Sequence, residues 1–286
     1  MQIILYMVAL LALAVPGVAL ARVRQTRLAW PSSLLHGAVL GLGLSLAVAF
    51  AMAWAGVLNA FWWLWLPLAV GALAYLCWPR QPPPPVAPIT GVYARAERPL
   101  PWWAMTALLV VVVGTRMAPI FAHAVPPGWD PSFHLILLDK IRLAGGLVYD
   151  WQPYGSHQLN YPLGPHVLLA VLQQASGLSS PQVFSWLFPV LAVLATAQVL
   201  ALGRALLLSR QVSLAAAAAF GLLANYGSVG YFGWGGLPNA LGMVLLVEVV
   251  TLIVALAPGP LAALRLGLLL AGTVLAHHHV MLVAGA

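Results

Sequence analysis

The sequence predicts an all-α protein that threads a lipid bilayer several times, and three observations predict it. Hydrophobic residues make up 63% of the 286 and charged residues 6%, against roughly a quarter charged in a soluble domain. Apolar runs of about 20 residues recur, the length needed to cross a hydrocarbon layer about 30 Å thick. The runs are continuous rather than alternating, which fits helices and not the strands of a barrel.

Taken in order, the runs read as about eight spans. The first covers residues 2–20. Its positive charges, Arg22, Arg24 and Arg27, follow the apolar stretch instead of preceding it, as in a retained first span with its N-terminus outside. The second (34–56) and third (59–78) are joined by a short turn near Asn59, with Trp54, Trp62, Trp63 and Trp65 clustered there as rings are at a membrane interface. Residues 80–101 are proline-rich, carry Arg80, Arg95 and Arg98, and read as a cytoplasmic linker. A three-span N-terminal unit (1–79) therefore precedes a second unit, 102–286.

That second unit opens with a fourth span, 102–121. Residues 122–162 contain three of the five acidic residues and no spanning run. Residues 163–176 are apolar but short, which suits a juxtamembrane or re-entrant helix. The fifth span, 182–207, follows Ser179-Ser180-Pro181, a helix-entry signal. The sixth (211–226) and seventh (237–257) flank the glycine-rich turn 227–239, and the eighth is 261–284.

Charge sets the orientation. With the first N-terminus outside, Arg22, Arg24, Arg27, Arg80, Arg95, Arg98, Arg204, Arg210 and Arg265 fall on the cytoplasmic side, and Arg116, Lys140 and Arg142 on the other. That bias obeys the positive-inside rule, provided 163–176 does not cross. The 122–162 loop, the 227–239 turn and the histidines at 277–279 then share the outer face, which makes that face the candidate site. A net charge of +7 comes from only twelve dispersed Lys and Arg, so it sets topology and does not make a nucleic-acid surface. The one cysteine, Cys77, excludes an internal disulfide and a cysteine-based zinc site.

The strongest motif is GWDPSFHLILLDKIRLAGG, 128–146. Asp130 followed by Pro131 predicts a helix start, with Asp130 as the cap. His134 lies one turn on, and Lys140 and Arg142 near the far end. The segment reads either as a capped interfacial helix or as a site in which Asp130 is a general base or metal ligand helped by His134; two groups do not fix a metal. Residues 150–166 bring Asp150, His157, Asn160, Tyr161 and His166 among aromatic rings, a mixture suited to a sugar or a lipid headgroup as well as to an ordinary ordered loop.

The run His277-His278-His279 is expected inside the eighth helix, where successive side chains diverge by about 100°. One of them, such as His278, can join Asp130 or His134. Glu248, mid-span, is either a functional carboxylate or a protonated one bonded to a neighbouring helix. Arg116 either snorkels to the interface or holds a phosphate. Trp234 and Asn239 border the glycine-rich turn as further candidates. The chain contains no HExxH, Walker or GxSxG motif.

The succession of span 102–121, GWDPSFHLILLDKI, LNYPLGPHVLLA, GWGGLPN and AHHH resembles the GT-C superfamily of membrane glycosyltransferases, most of all its poorly characterised bacterial and archaeal members. The resemblance covers 102–286. It implies a GT-C-like helical bundle in a bacterial plasma membrane, with its site outside, that transfers a sugar from a polyprenyl-phosphate donor. It also implies Asp130 as base or ligand to a divalent metal (Mg or Mn), with His134 its partner. Arg116, Lys140 and Arg142 would meet the lipid phosphate, and His157, Asn160, His166, Trp234, Asn239 and His278 the substrates. Two departures stand out. Many members pair acidic residues in this loop, whereas Asp139 is nine residues from Asp130. Members also continue past the equivalent of Ala286, so the chain is expected to be an N-terminal fragment. Two other classes fit the composition: a transporter using Glu248 and the histidines, and a non-catalytic membrane subunit.

Overall fold

The computed structural model describes residues 1–22, 30–78, 102–127, 129–156, 158–159, 161–223, 236–255, 259–277 and 280. Among them are ten α-helices: α1 (Gln2–Arg22), α2 (Trp30–Trp54), α3 (Phe61–Cys77), α4 (Trp102–Ala122), α5 (Trp129–Ala144), α6 (Gly164–Ser176), α7 (Ser180–Ala205), α8 (Arg210–Leu222), α9 (Leu237–Ala255) and α10 (Pro260–Ala276). No strand occurs among these residues; Asp150 and Gln158 form one isolated antiparallel bridge. Six helices are long and apolar enough to cross a membrane: α1, α2, α3, α4, α7 and α9. The two further expected spans are shorter, 13 residues in α8 and 17 in α10.

Contacts between helix ends divide the bundle into two poles. Gln2 Nε2, at the start of α1, donates to the carbonyl of Gly177 just past α6, at 2.8 Å. The α2–α3 turn meets the end of α5 through Leu58 N–H to Gly145 O (3.0 Å) and Leu147 N–H to Ala53 O (3.0 Å). At the other end of α6, Gly164 packs so closely on the Leu275 carbonyl, near the end of α10, that a side chain would collide with it. Both ends of α6 therefore touch elements of one pole, and α6 runs along that pole instead of crossing. Arg22, Arg204, Arg210 and Arg265 lie toward the opposite pole, at the end of α1, the end of α7 and the starts of α8 and α10.

Glycine makes the tightest joint. α1 and α2 meet at Gly17, Gly37 and Gly41, where backbone lies on backbone; a Cβ on Gly41 would sit 2.6 Å from the Leu13 carbonyl oxygen. Small residues four apart, as in Gly37 and Gly41, let two helices approach closely in lipid, where van der Waals contact rather than water drives packing. Trp65 Nε1 then reaches from α3 to the Ala12 carbonyl at 2.9 Å, and Tyr6, Leu13, Leu46, Phe61 and Trp65 are fully buried between these helices.

Two buried arginines finish helix ends that lipid cannot solvate. Arg265, 3% exposed, donates from α10 to Leu20 O (2.5 Å) and Ala21 O (3.1 Å), among the last carbonyls of α1. Arg116, 6% exposed, donates from α4 to Gly221 O of α8 and to Thr115 Oγ1 (2.8 Å). Gly221 lies against Thr196 of α7 and Val112 of α4, each about 15 Å along its helix from the basic pole. α8 thus ends about half-way along its long apolar neighbours, away from either pole, where an unbonded carbonyl is costly. Arg116 supplies the donors and opposes the negative end of the helix dipole. It is turned inward, not snorkelling.

Replacing Gly41 with leucine is expected to lower stability by at least about 1–3 kcal/mol, the usual range for overpacking. Thermal unfolding in detergent would read this as a lower Tm, with Gly71→Leu, where a Cβ meets nothing within 4 Å, as the neutral control.

Candidate polar site at the loop pole

The site grows from α5, whose residues Pro131, His134, Leu137, Leu138 and Ile141 are buried at the three- and four-residue spacing of one helix face. The helix begins at Trp129, so Asp130 is its second residue, inside the first turn and not the cap that the sequence led us to expect. Its carboxylate is exposed, at the end of the helix where the dipole favours negative charge. His134, one turn on, faces inward.

His134 Nδ1 and His166 Nε2 are 2.9 Å apart. Both rings are buried, at 5% and 1% exposure. A bond between two ring nitrogens requires one donor and one acceptor, so the rings cannot both be fully protonated. Burial, reinforced by the neighbouring His134, pushes His166 well below the usual imidazole value of 6.5, and it is neutral. Its Nδ1 forms no bond of ordinary geometry. The nearby backbone at Leu163 and Pro162 only partly opposes burial. One ring of the pair donates and the other accepts, and the contact holds the two imidazoles in register.

Tyr161 is the hub of the surrounding rings. Its centroid lies 5.6 Å from His134, 5.9 Å from His166, 5.7 Å from Phe133 and 6.2 Å from His277. Phe133 stacks toward Trp151 at 4.8 Å, and Phe184 lies parallel to His134 at 5.9 Å. Burial, then the negative charge of Asp130, pushes the Tyr161 hydroxyl up to about 12. It therefore keeps its proton at neutral pH and serves as a hydrogen-bonding group, not a base. Asp130, one turn before His134 on α5, is near enough to Tyr161 for its charge to act on the hydroxyl.

The loop after α5 is fixed by charge. Lys140 Nζ donates to Asp150 Oδ1 at 3.2 Å and to the Gln152 carbonyl, and the Asp150 carboxyl is held below the usual carboxylate range, first by its bond to Lys140. Asp139 accepts from Ser180 Oγ at 2.5 Å, and Ser180 accepts from Gln173 Nε2 at 3.0 Å. This chain ties α5 to the start of α7 and to α6. Arg142 is exposed, its Nε 3.8 Å from Asp139.

Of the residues expected from sequence, Asp130, His134 and His166 come together, joined by Tyr161 and by His277, the first of the three histidines. His277 departs from the expectation of a continuing helix: α10 ends at Ala276, and His277 is extended at φ −163°, ψ 132°. Its direction is consequently not tied to the 100° rotation of a helix. Lys140 and Arg142 stand about 15–18 Å along α5 from Asp130, and Arg116 is joined to α8. Asn239 is half-buried in the first turn of α9. His157, Asn160, Trp234, His278 and His279 lie outside the described residues.

The described residues do not make a Mg or Mn centre. Such ions take several oxygen ligands, Asp130 is the one carboxylate beside the histidines, and no group of three His, Cys, Asp or Glu among these residues is placed to hold a metal.

Glu248 belongs to a separate cluster. Its Oε1 is 2.6 Å from His36 Nδ1 of α2, and its Oε2 accepts from Gln198 Nε2 of α7 at 3.1 Å. Glu248 is thus bonded to side chains of two neighbouring helices. His36 was legible only as a lone histidine inside an apolar run, a signal that names no partner.

Comparison of the chain with protein-family models, curated proteins and solved structures finds no match.

Because the folded state holds His166 neutral well below 6.5, the unfolded chain binds more protons there as pH falls. Stability from this group is complete above about pH 6.5 and is lost as pH drops below it. The Tm of the protein in detergent is expected to fall across that range, and His166→Gln to flatten the dependence.

Proposed function

We propose that the protein transfers a glycosyl group from a polyprenyl-phosphate donor at the loop pole, with Asp130 as the base that takes the acceptor proton. The observation that carries this reading is one exposed carboxylate in the first turn of α5, one helical turn before a buried imidazole pair and its ring cluster, at one pole of an apolar bundle. The lipid-linked donor is supported by the apolar helices around that pole and by the likeness of 102–286 to GT-C enzymes.

In the proposed step the acceptor hydroxyl loses its proton to an Asp130 carboxylate oxygen as its own oxygen forms a bond to the sugar's anomeric carbon. The bond from that carbon to the donor phosphate breaks, and the electron pair leaves with the phosphate. His134 assists from one turn further along α5, and its contact with His166 fixes the ring. Tyr161 keeps its hydroxyl proton and so offers a donor to the sugar or the leaving group. The faces of Phe133, Trp151 and Tyr161 suit the apolar face of a sugar ring.

A transport path through Glu248 and the histidines finds less support, because Glu248 lies about 10 Å from the basic end of α9 and the described histidines of the site lie at the other pole. The positive-inside rule puts the basic pole in the cytoplasm and the site outside.

Full-length protein carrying Asp130→Asn is expected to lose about 10²–10⁴-fold in transfer from a polyprenyl-phosphate sugar, the usual contribution of a general base. Undiminished transfer by that variant would remove Asp130 from the mechanism. For sidedness, Ser132→Cys and Ser209→Cys in a Cys77→Ala background are expected to react with an impermeant thiol reagent from outside and inside respectively; the reverse pattern would invert the site.

A further inference from the structure

We propose that His36, Glu248 and Gln198 form an intramembrane site that binds one exchangeable proton, in the half of the bundle away from the His134–His166 pair. The three residues come from α2, α9 and α7, and each lies six or seven residues, about 10 Å, from the basic end of its helix. Glu248 is 1% exposed and Gln198 fully buried, and each carboxylate oxygen has one partner from a different helix.

The bonding pattern fixes where the proton can sit. Gln198 Nε2 donates to the Val244 carbonyl at 2.9 Å as well as to Glu248 Oε2 at 3.1 Å. Turning the amide over would set its oxygen against two acceptors, so the amide stays as it is and Oε2 remains an acceptor. A proton on the carboxyl group must then lie on Oε1, 2.6 Å from His36 Nδ1. Either atom can hold it: a carboxylic acid facing a neutral imidazole, or a carboxylate facing an imidazolium. Both arrangements keep the trio neutral, which removes most of the cost of a charge in this environment.

Release of the proton leaves one negative charge, and the surroundings limit its cost. The helices packed on Glu248 and His36 carry no other carboxylate; their remaining titratable or charged groups are Arg22 and Tyr6 on α1, His166 on α6, Arg204 on α7 and Arg265 on α10. The three arginines lie toward the same pole as the site, and Arg265 is on a helix that packs against both α2 and α9. Arg265 donates to the end of α1 and Arg204 Nη1 to Leu208 O at 2.5 Å. His36, the most exposed of the trio at 13%, is the point of exchange with the nearby basic pole.

Infrared difference spectroscopy of the full-length protein in nanodiscs, titrated between about pH 5 and pH 8, tests this. Five acidic side chains in the 286 residues make the carboxyl region sparse. A protonated-carboxyl C=O band that grows as pH falls, shifts in D2O and disappears in Glu248→Gln is expected, with the same band displaced in frequency by His36→Asn. The proposal fails if that band is absent, does not change with pH, or survives Glu248→Gln. Should Glu248→Gln not assemble, the D2O shift and the His36→Asn displacement decide: a band that exchanges but ignores His36 belongs elsewhere and overturns the assignment.

Discussion

The need to satisfy every backbone carbonyl inside the hydrocarbon governs the rest of this structure. A helix leaves its last four carbonyls without intrahelical partners, and in lipid no water replaces them. α8 ends beside Val112 and Thr196, at about the middle of the bundle, and this is the depth at which the chain places a buried arginine. The Arg116 bond to Gly221 is thus a condition for α8 to stop where it does, and Gly221 must be glycine because Thr196 and Val112 occupy the space a side chain would need. Arg265 does for α1 what Arg116 does for α8. The two arginines come from different ends of the sequence, yet both join the flank of one helix to the terminus of another.

The same accounting explains the loop pole. α6 is buried along nearly its whole length although it is too short and too polar at its ends to span. It is held by its partners: Gln2 on the carbonyl after it, Trp62 Nε1 on the Val171 carbonyl at 2.9 Å, and Leu275 against Gly164. Because both ends are tied to the same pole, α5 and α6 bring His134 and His166 together across 32 residues of chain without a crossing between them. The imidazole pair is a product of that placement, and the neutrality of His166 follows from the burial that the placement imposes.

Much of this was legible in residues. Length and apolar continuity led to eight expected spans, six of which are helices long and apolar enough to cross; Ser179-Ser180-Pro181 marked the start of α7, where the Ser179 N–H bonds Gln182 Oε1 at 2.9 Å, and the motif around Asp130 marked α5. What sequence left open has a common physical cause: it depended on contacts between distant segments. Arg116 at the outer part of an apolar run reads as a snorkelling side chain until α8 is known to end beside it. The histidine run reads as helix because nothing before it breaks the pattern, whereas α10 stops at Ala276. Tyr161 was visible as one aromatic among several, and only the fold makes it touch His134, His166 and His277 at once. His36 and Glu248 are 212 residues apart, and no spacing rule relates them.

The two polar clusters use similar residue types and end in different chemistry because their surroundings differ. At the loop pole the histidines bond to each other, so neither needs a carboxylate, and Asp130 is left exposed at the helix start with its charge available to a substrate. Around Glu248 the order is reversed: the carboxylate is buried and the histidine the more exposed of the two, and both oxygens are already engaged by side chains. A carboxylate so enclosed has no room to accept a proton from a sugar hydroxyl, but it is well placed to hold one of its own. An exposed acid one turn from a histidine pair suits reaction with something that arrives from outside the bundle; an enclosed acid against one imidazole suits the storage of a proton within it. The separation of the two by most of the length of α9 means that neither role has to compromise the other.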